Sequence, residues 1–175
     1  MPRCKNCKEK FDKAHFNQQY CFKTACTRAW INKCNTANIR RLKIEYTKQH
    51  GESMPMLHKK LKQVFHLYIR TRDKGNGCIS CKKPLSEKYD AGHFWNSNNH
   101  GNIRYHEDNV HAQCVRCNRD LHGNLLEYQV HLKQKIGNEK YQSLEEQRHI
   151  TKKWTKEELK YLIELYKEKC KKLNN

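Results

Sequence analysis

Two pairs of cysteines constrain this chain more than any other feature. Cys78-x2-Cys81 and Cys114-x2-Cys117 are separated by 32 residues. A C-x2-C turn directs both sulfurs at one point, and two such turns supply the tetrahedral thiolate shell that Zn²⁺ prefers. The alternative use of paired cysteines is a disulfide framework, which needs an oxidising compartment. The opening stretch, MPRCKNCKEKFDKAHFNQQYC, is charged throughout and holds no apolar run, so it does not read as a signal peptide. A cytosolic setting with reduced thiols follows, and there such knuckles read as metal sites. Cys4, Cys7, Cys21 and Cys26 make a second set with a looser C-x4-C half, and a second zinc is expected on it. Cys34 and Cys170 remain as free thiols.

Composition explains why metal is needed. Only 36% of the residues are hydrophobic and 31% are charged, against roughly 45–50% and 25% in ordinary domains. A core this thin calls for a staple, and structural zinc contributes folding free energy on the order of 10 kcal/mol in small modules. No segment approaches the ~20 apolar residues of a membrane span, so no membrane partner is expected.

The net charge is +18 and unevenly spread. Residues 1–50 carry +9, residues 51–75 and 126–175 carry +4 each, and residues 76–125 carry +1. A basic body around a near-neutral centre suits a protein that grips a polyanion and works on it. That centre includes residues 89–124, where five histidines, two cysteines and seven asparagines leave hardly an aliphatic run. Buried imidazoles and amides each need a partner, so these residues are not core material.

Coarse elements follow from spacing. Residues 27–50 are helix-forming but weakly periodic and read as a solvated helix or linker. Ser53 opens a helix to about Asp73 with Leu57, Leu61, Val64, Phe65, Tyr68 and Ile69 on one face. The segment 78–124 is turn-rich, with strand-like pieces around Ile79, Tyr89 and Ile103–Tyr105. A short helical turn after Cys117 is followed by Asn124 and Glu127, which resemble a capping box for a helix to Gly137. Helices over 138–148 and from a Thr155/Glu158 capping box to the C-terminus complete the chain. The division expected is an N-terminal Cys4 cluster over 1–26, a basic helical linker over 27–52, a zinc-stapled core over 53–137 and C-terminal helices over 138–175.

Between and after the knuckles lie residues suited to phosphodiester hydrolysis. That reaction needs a water deprotonated near neutral pH, which a neutral imidazole can do, and a cation to stabilise charge on phosphate. His93 is the candidate base. Asp90, Asn118, His122 and His111 are candidate ligands for a catalytic Mg²⁺ or Mn²⁺. On a helix starting near Cys117, Asn118 and His122 would face the same way. Asn109 either orients the loop by bonding its backbone or makes a simple Asx turn. His111 reads equally as ligand, phosphate contact or structural residue, whereas His100 and His106 read as loop residues. Arg104, Arg116 and Arg119 are close enough in sequence to hold phosphates, and Arg40, Arg41, Lys59 and Lys60 belong to the basic body.

A strand with a His, a loop with an Asn and a helix with Asn/His resembles the ground plan of the HNH (ββα-metal) nucleases. "DAGHF", "IRYHEDNVHAQCVRCN", "GNLLEY" and a downstream "IG" resemble the NinG (Rap) recombination proteins of temperate bacteriophages. The likeness extends to the early "CKNC", to "YIRTRDKGNGCISC" and to the C-terminal "WT" helix. It implies a small α+β fold, with an HNH-like ββα-metal or treble-clef zinc module flanked by helices and a zinc-ribbon-like cluster before it. It further implies a metal-dependent endonuclease acting on branched DNA such as Holliday junctions and D-loops, in the bacterial host cytoplasm. A homodimer suits the two symmetric cuts that resolve a four-way junction. The alternative is a zinc-stapled DNA-binding accessory protein without catalysis.

Overall fold

The basic stretch after the first cysteine cluster is one continuous helix, α1 (Thr24–His50), and of its residues only Cys26 is buried. Its apolar residues are scattered around the circumference, so no face can be withdrawn from water, and the solvated helix expected from the sequence is the result. Gly51, at φ 70°, ends it by donating its N–H to the Thr47 carbonyl at 2.9 Å. A computed structural model describes residues 1–174 and divides the chain into two compact units, the break falling after Ser53. In the first unit, α1 follows a loop closed by an Arg3–Lys10 bridge and by Lys5 N–H donating to the Gln19 carbonyl at 2.9 Å.

The second unit is built on α2 (Met54–Arg72), a two-stranded antiparallel hairpin, three further helices and short helical turns. The strands are β1 (Tyr89–His93) and β2 (Val110–Cys114), in register Tyr89–Cys114 to His93–Val110. The segments around Ile79 and Ile103–Tyr105 are turns, not strands, although Ile79, Ile103 and Tyr105 are all buried. Their apolar side chains anchor loops, a role that short runs of this composition do not distinguish from strand. A π-helical turn (Arg116–Asp120) follows β2 directly, and α3 (Leu125–Ile136), α4 (Asn138–Gln147) and α5 (Lys156–Asn174) complete the unit.

One core lies where the apolar faces of α2 and α5 meet. Leu57, Leu61, Phe65, Tyr68 and Ile69 pack with Leu159, Ile163, Tyr166 and Cys170, and Ala91, Tyr105 and Val110 reach it from the hairpin and loop. The Phe65 and Tyr166 rings meet at 4.8 Å, and each fully buried Leu, Ile or Phe contributes about 1.5–3 kcal/mol. The start of α5 is a reciprocal capping box: Glu158 N–H donates to Thr155 Oγ1 at 3.1 Å and Thr155 N–H to Glu158 Oε2 at 2.8 Å. The box expected at Asn124 and Glu127 does not form. Asn124 has a left-handed backbone (φ 43°) and turns its Nδ2 toward Cys117 Sγ instead. A smaller core of Ile79, Tyr128, Leu132 and Tyr141 lies under α3 and α4. Among the described residues no helix is long and apolar enough to cross a membrane.

Candidate metal centres and polar site

Both cysteine sets close in space. The thiol sulfurs of Cys78, Cys81, Cys114 and Cys117 all lie within 4.8 Å of one another, as do those of Cys4, Cys7, Cys21 and Cys26. The Cys81–Cys114 and Cys7–Cys21 sulfur separations are 3.9 and 3.7 Å. A tetrahedron with Zn–S arms of ~2.3 Å has edges of about 3.8 Å, whereas a disulfide bond is about 2.05 Å long. Both sets therefore fit zinc, and all ten cysteines are free thiols.

Local electrostatics favour thiolate at one cysteine of each set. Burial pushes Cys4 up, but backbone N–H groups of Cys21, Cys7 and Asn6 bring it down to about 6. At Cys21 the backbone N–H of Lys23 is outweighed by burial and by the neighbouring thiols Cys26, Cys7 and Cys4, which push it up to about 12. In the second set burial opposes Cys78, yet backbone N–H groups of Cys81, Cys114 and Ser80 lower it. Cys117 is pushed up to about 12 by burial and by Cys114 and Cys81. Four sulfurs so close cannot all ionise unless a cation compensates them, and a divalent metal supplies that charge.

The second set joins the loop after α2 to the end of β2 and the π turn, fixing the hairpin in place. Residues directly opposite in an antiparallel pair share a face. Asp90, Gly92, His111 and Gln113 therefore occupy one face, and Ala91, His93, Val110 and Ala112 the other. Asp90 and His93 leave β1 in opposite directions.

His93 points to the α2 side. Its Nε2 is 3.0 Å from the Arg104 carbonyl. A carbonyl only accepts, so Nε2 carries the proton and Nδ1 the lone pair. Burial lowers this imidazole to about 4, against the raising effect of the Arg104 carbonyl, and Lys62 and Arg104 lower it further. At neutral pH His93 is thus a neutral base in a defined tautomer. His66 of α2 faces it, with ring centroids 5.4 Å apart. Burial first, then His93, Lys62 and Arg70, lower His66 to about 4 as well, while Asp90 pulls the other way.

On the other face, Asp90 receives three hydrogen bonds. Asn118 Nδ2 donates to Oδ2 at 2.9 Å, Arg119 Nε donates to Oδ2 at 2.8 Å, and an Arg119 terminal nitrogen donates to Oδ1 at 2.8 Å. The Arg119 guanidinium, followed by Asn118, holds the Asp90 carboxyl below the usual range. Gly92 makes the close approach possible. A Cβ there would meet Gln113 Oε1 at 2.1 Å and Asn118 Oδ1 at 3.1 Å. Gln113 is fully buried; its Nε2 donates to Ser80 Oγ and the Gly123 carbonyl, and its Oε1 has no hydrogen-bond partner.

Asn109 locks the loop between the strands. Its Nδ2 donates to the Trp95 and Ile103 carbonyls at 3.0 and 3.2 Å, and its Oδ1 accepts from Trp95 N–H at 2.9 Å. The same loop is tied down by Arg104 Nε donating to the Ser97 carbonyl at 2.8 Å and by His100 Nδ1, 3.1 Å from the Arg148 carbonyl. His106 caps the turn before Asn109 by accepting from Asp108 N–H.

The remaining candidates lie apart from these groups. His111 is buried; Tyr128 Oη donates to the Gly92 carbonyl at 2.9 Å, so it accepts from His111 Nδ1 at 3.3 Å. His111 also lines a separate cavity of about 400 Å³ with Asp73, Lys82, His131 and Lys135. His122 does not share a helical face with Asn118. The π turn stops at Asp120, and His122 follows at φ 48° with an exposed side chain. Arg116, Arg40, Arg41, Lys59 and Lys60 are exposed.

Sequence reasoning passed over His66 and Gln113. His66 carried a usable signal, since Lys62, His66 and Arg70 recur every fourth residue along one face of α2.

A hairpin and helical turn stapled by four cysteines, with a second cysteine cluster before them, define a small α+β protein with two candidate zinc centres. Its sequence places it more narrowly. A family model described as bacteriophage Lambda NinG protein matches residues 1–175. "Protein ninG" of Escherichia phage lambda is 32% identical over 193 residues, covering 99% of this chain and 93% of the relative. The proteins of that name in Escherichia phage 933W and Salmonella phage P22 are each 31% identical, covering 99% of this chain and 94% of theirs. The chain belongs to the bacteriophage NinG family. No solved structure matches it.

Proposed function

We propose that this protein is a metal-dependent endonuclease that hydrolyses phosphodiester bonds in branched recombination intermediates, with His93 as general base. The observation that carries the reading is the tautomer of His93: a neutral imidazole, proton fixed on Nε2 by the Arg104 carbonyl, lone pair on Nδ1. Nδ1 would take a proton from the attacking water as its oxygen bonds to phosphorus and the P–O bond to the leaving strand breaks. Asn109 holds the loop that carries the Arg104 carbonyl and so keeps the base oriented. Asp90 and Asn118 are the hard-oxygen residues that would hold Mg²⁺ or Mn²⁺, which supplies charge stabilisation on the phosphate. Two features oppose the fit: Asp90 leaves β1 on the face opposite to His93, so the phosphate would have to lie across the edge of the strand, and Arg119 satisfies the carboxylate. Its side chain is 64% exposed, however, and has room to swing away. The two cysteine sets would serve as structural zinc sites.

Engagement of Asp90 by Arg119 also favours a second reading, a zinc-stapled DNA-binding protein without catalysis. The two are separated by incubating the purified protein with a labelled four-way junction, a D-loop and a linear duplex, in Mg²⁺, Mn²⁺ or Ca²⁺. Cation-dependent cuts near the branch support the endonuclease. Binding with no cut in any cation supports the accessory protein.

A further inference from the structure

The arginines that the sequence nominates as phosphate contacts are largely committed elsewhere: Arg104 to the Ser97 carbonyl and Arg119 to Asp90. Other cations lie beside the site. A groove of about 1050 Å³ runs along Asp90, and Arg70, Lys74, Lys88 and Arg119 line it against two carboxylates among the described residues, Asp90 and Glu87. One of those carboxylates is neutralised by Arg119. Arg70 belongs to the Lys62–His66–Arg70 row, whose members stand about 6 Å apart along the axis of α2, four residues at ~1.5 Å each. At its middle the row faces His93 through His66, and at its end it reaches the groove at Arg70. Lys62 acts on both His66 and His93, and Arg70 on both His66 and Asp90, so the row spans both halves of the candidate site. The Tyr89 hydroxyl donates to the Arg70 carbonyl at 2.9 Å and fixes the row against β1.

We propose that the Lys62–His66–Arg70 row, continued through Lys74 and Lys88, is the track for the sugar–phosphate backbone of the strand being cut, with a His66 N–H donating to the scissile phosphate. This rests on the endonuclease reading and adds to it a catalytic residue, His66, and a path for the strand. Cations spaced along a groove hold successive phosphates without reading bases, which suits recognition by shape. A neutral imidazole serves as an oriented donor to a phosphate oxygen without moving a proton.

The test uses full-length protein and a four-way junction. Binding is measured in Ca²⁺ across a salt series for the parent, for the Arg70→Ala/Lys74→Ala/Lys88→Ala variant, and for a charge-matched control, Lys140→Ala/Lys160→Ala/Lys171→Ala. The expected result is that the groove variant loses slope in log affinity against log salt by about 0.9 per phosphate contact removed, and the control much less. His66→Ala should bind the junction as the parent does while cleavage at saturating DNA falls by roughly 10²–10³-fold, the scale of one preorganised donor. His66→Gln, which keeps an N–H, should recover part of that loss. Equal slope changes in the groove and control variants would overturn the track, and parental cleavage by His66→Ala would overturn the donor. If the parent cuts no DNA in any cation, the endonuclease reading and the His66 role fail together, while the salt slopes still decide the track.

Discussion

The Nε2 proton of His93 lies on the Arg104 carbonyl across 3.0 Å, and this one bond decides which nitrogen of the ring can accept a proton. Because burial lowers His93 to about 4, its neutral form persists well below the ordinary imidazole range near 6.5. Cleavage rate should therefore stay flat as pH falls from 7 and bend only near pH 4–5. A single-turnover pH profile checks this. A bend near 6.5 would mean that His93 is solvated and unperturbed.

The same shifts bear on stability. His66, His93 and His111 are held at about 4, 4 and 3 in the fold, below the unfolded value near 6.5. A depressed folded pKa means that the unfolded chain binds more protons in that window. Stability is then fully present above about pH 6.5 and is lost as pH falls toward 3–4. Urea midpoints at pH 7.5 and 5.5 should differ, with the lower pH less stable, and His111→Phe should flatten the difference.

Both cysteine sets are expected to bind metal, so elemental analysis of protein purified without chelator should return two zinc ions per chain. Cys114→Ser should abolish one zinc and unfold the hairpin, since its sulfur joins β2 to the loop after α2. Cys7→Ser should remove the other zinc while α2 and α5 keep their cooperative unfolding. One zinc in the parent would limit the metal to a single set.

Gly92→Ala would place a Cβ 2.1 Å from Gln113 Oε1. Gln113 cannot yield cheaply, because its amide is buried and held by Ser80 and Gly123. A loss of about 1–3 kcal/mol is expected from denaturant unfolding, the usual cost of overpacking. An unchanged midpoint would show that the amide moves freely.

Much of the fold was legible in the sequence because its signals are local. The i, i+4 stripes of α2 and α5, the Thr155–Glu158 box and the two C-x2-C turns each specify structure within a few residues. Of the strands, the one expected around Tyr89 is β1, whereas β2 was not legible. Buried loop anchors such as Ile79 and Ile103 have the composition of strand residues, and only pairing with a distant partner tells them apart. For the site, Asp90, Asn118 and Arg119 meet across the hairpin and turn, and Asn109 binds the loop backbone, contacts implied by proximity to the knuckles. The failure at His122 has a physical cause: helical spacing holds only while the helix lasts, and the π turn ends at Asp120. His66 was hidden because its partner His93 lies 27 residues away on another element.

Arg119 occupies the carboxylate that a catalytic cation would need. Arg119→Ala should therefore lower the Mn²⁺ concentration giving half-maximal cleavage, even if the maximal rate declines. It should also let the Asp90 carboxyl rise toward its ordinary range, which NMR titration would follow. An unchanged half-saturating concentration would indicate that the cation binds away from Asp90.

The most direct measurement compares His93→Ala with the parent on one labelled four-way junction, recording zinc content, binding and cleavage in the same preparation. His93 is no zinc ligand in either set, so the variant should keep its zinc and bind the junction as the parent does. Its cleavage should fall by roughly 10²–10⁴-fold, the contribution of a general base. Cleavage at the parental rate by a folded, zinc-loaded His93→Ala protein would contradict the account.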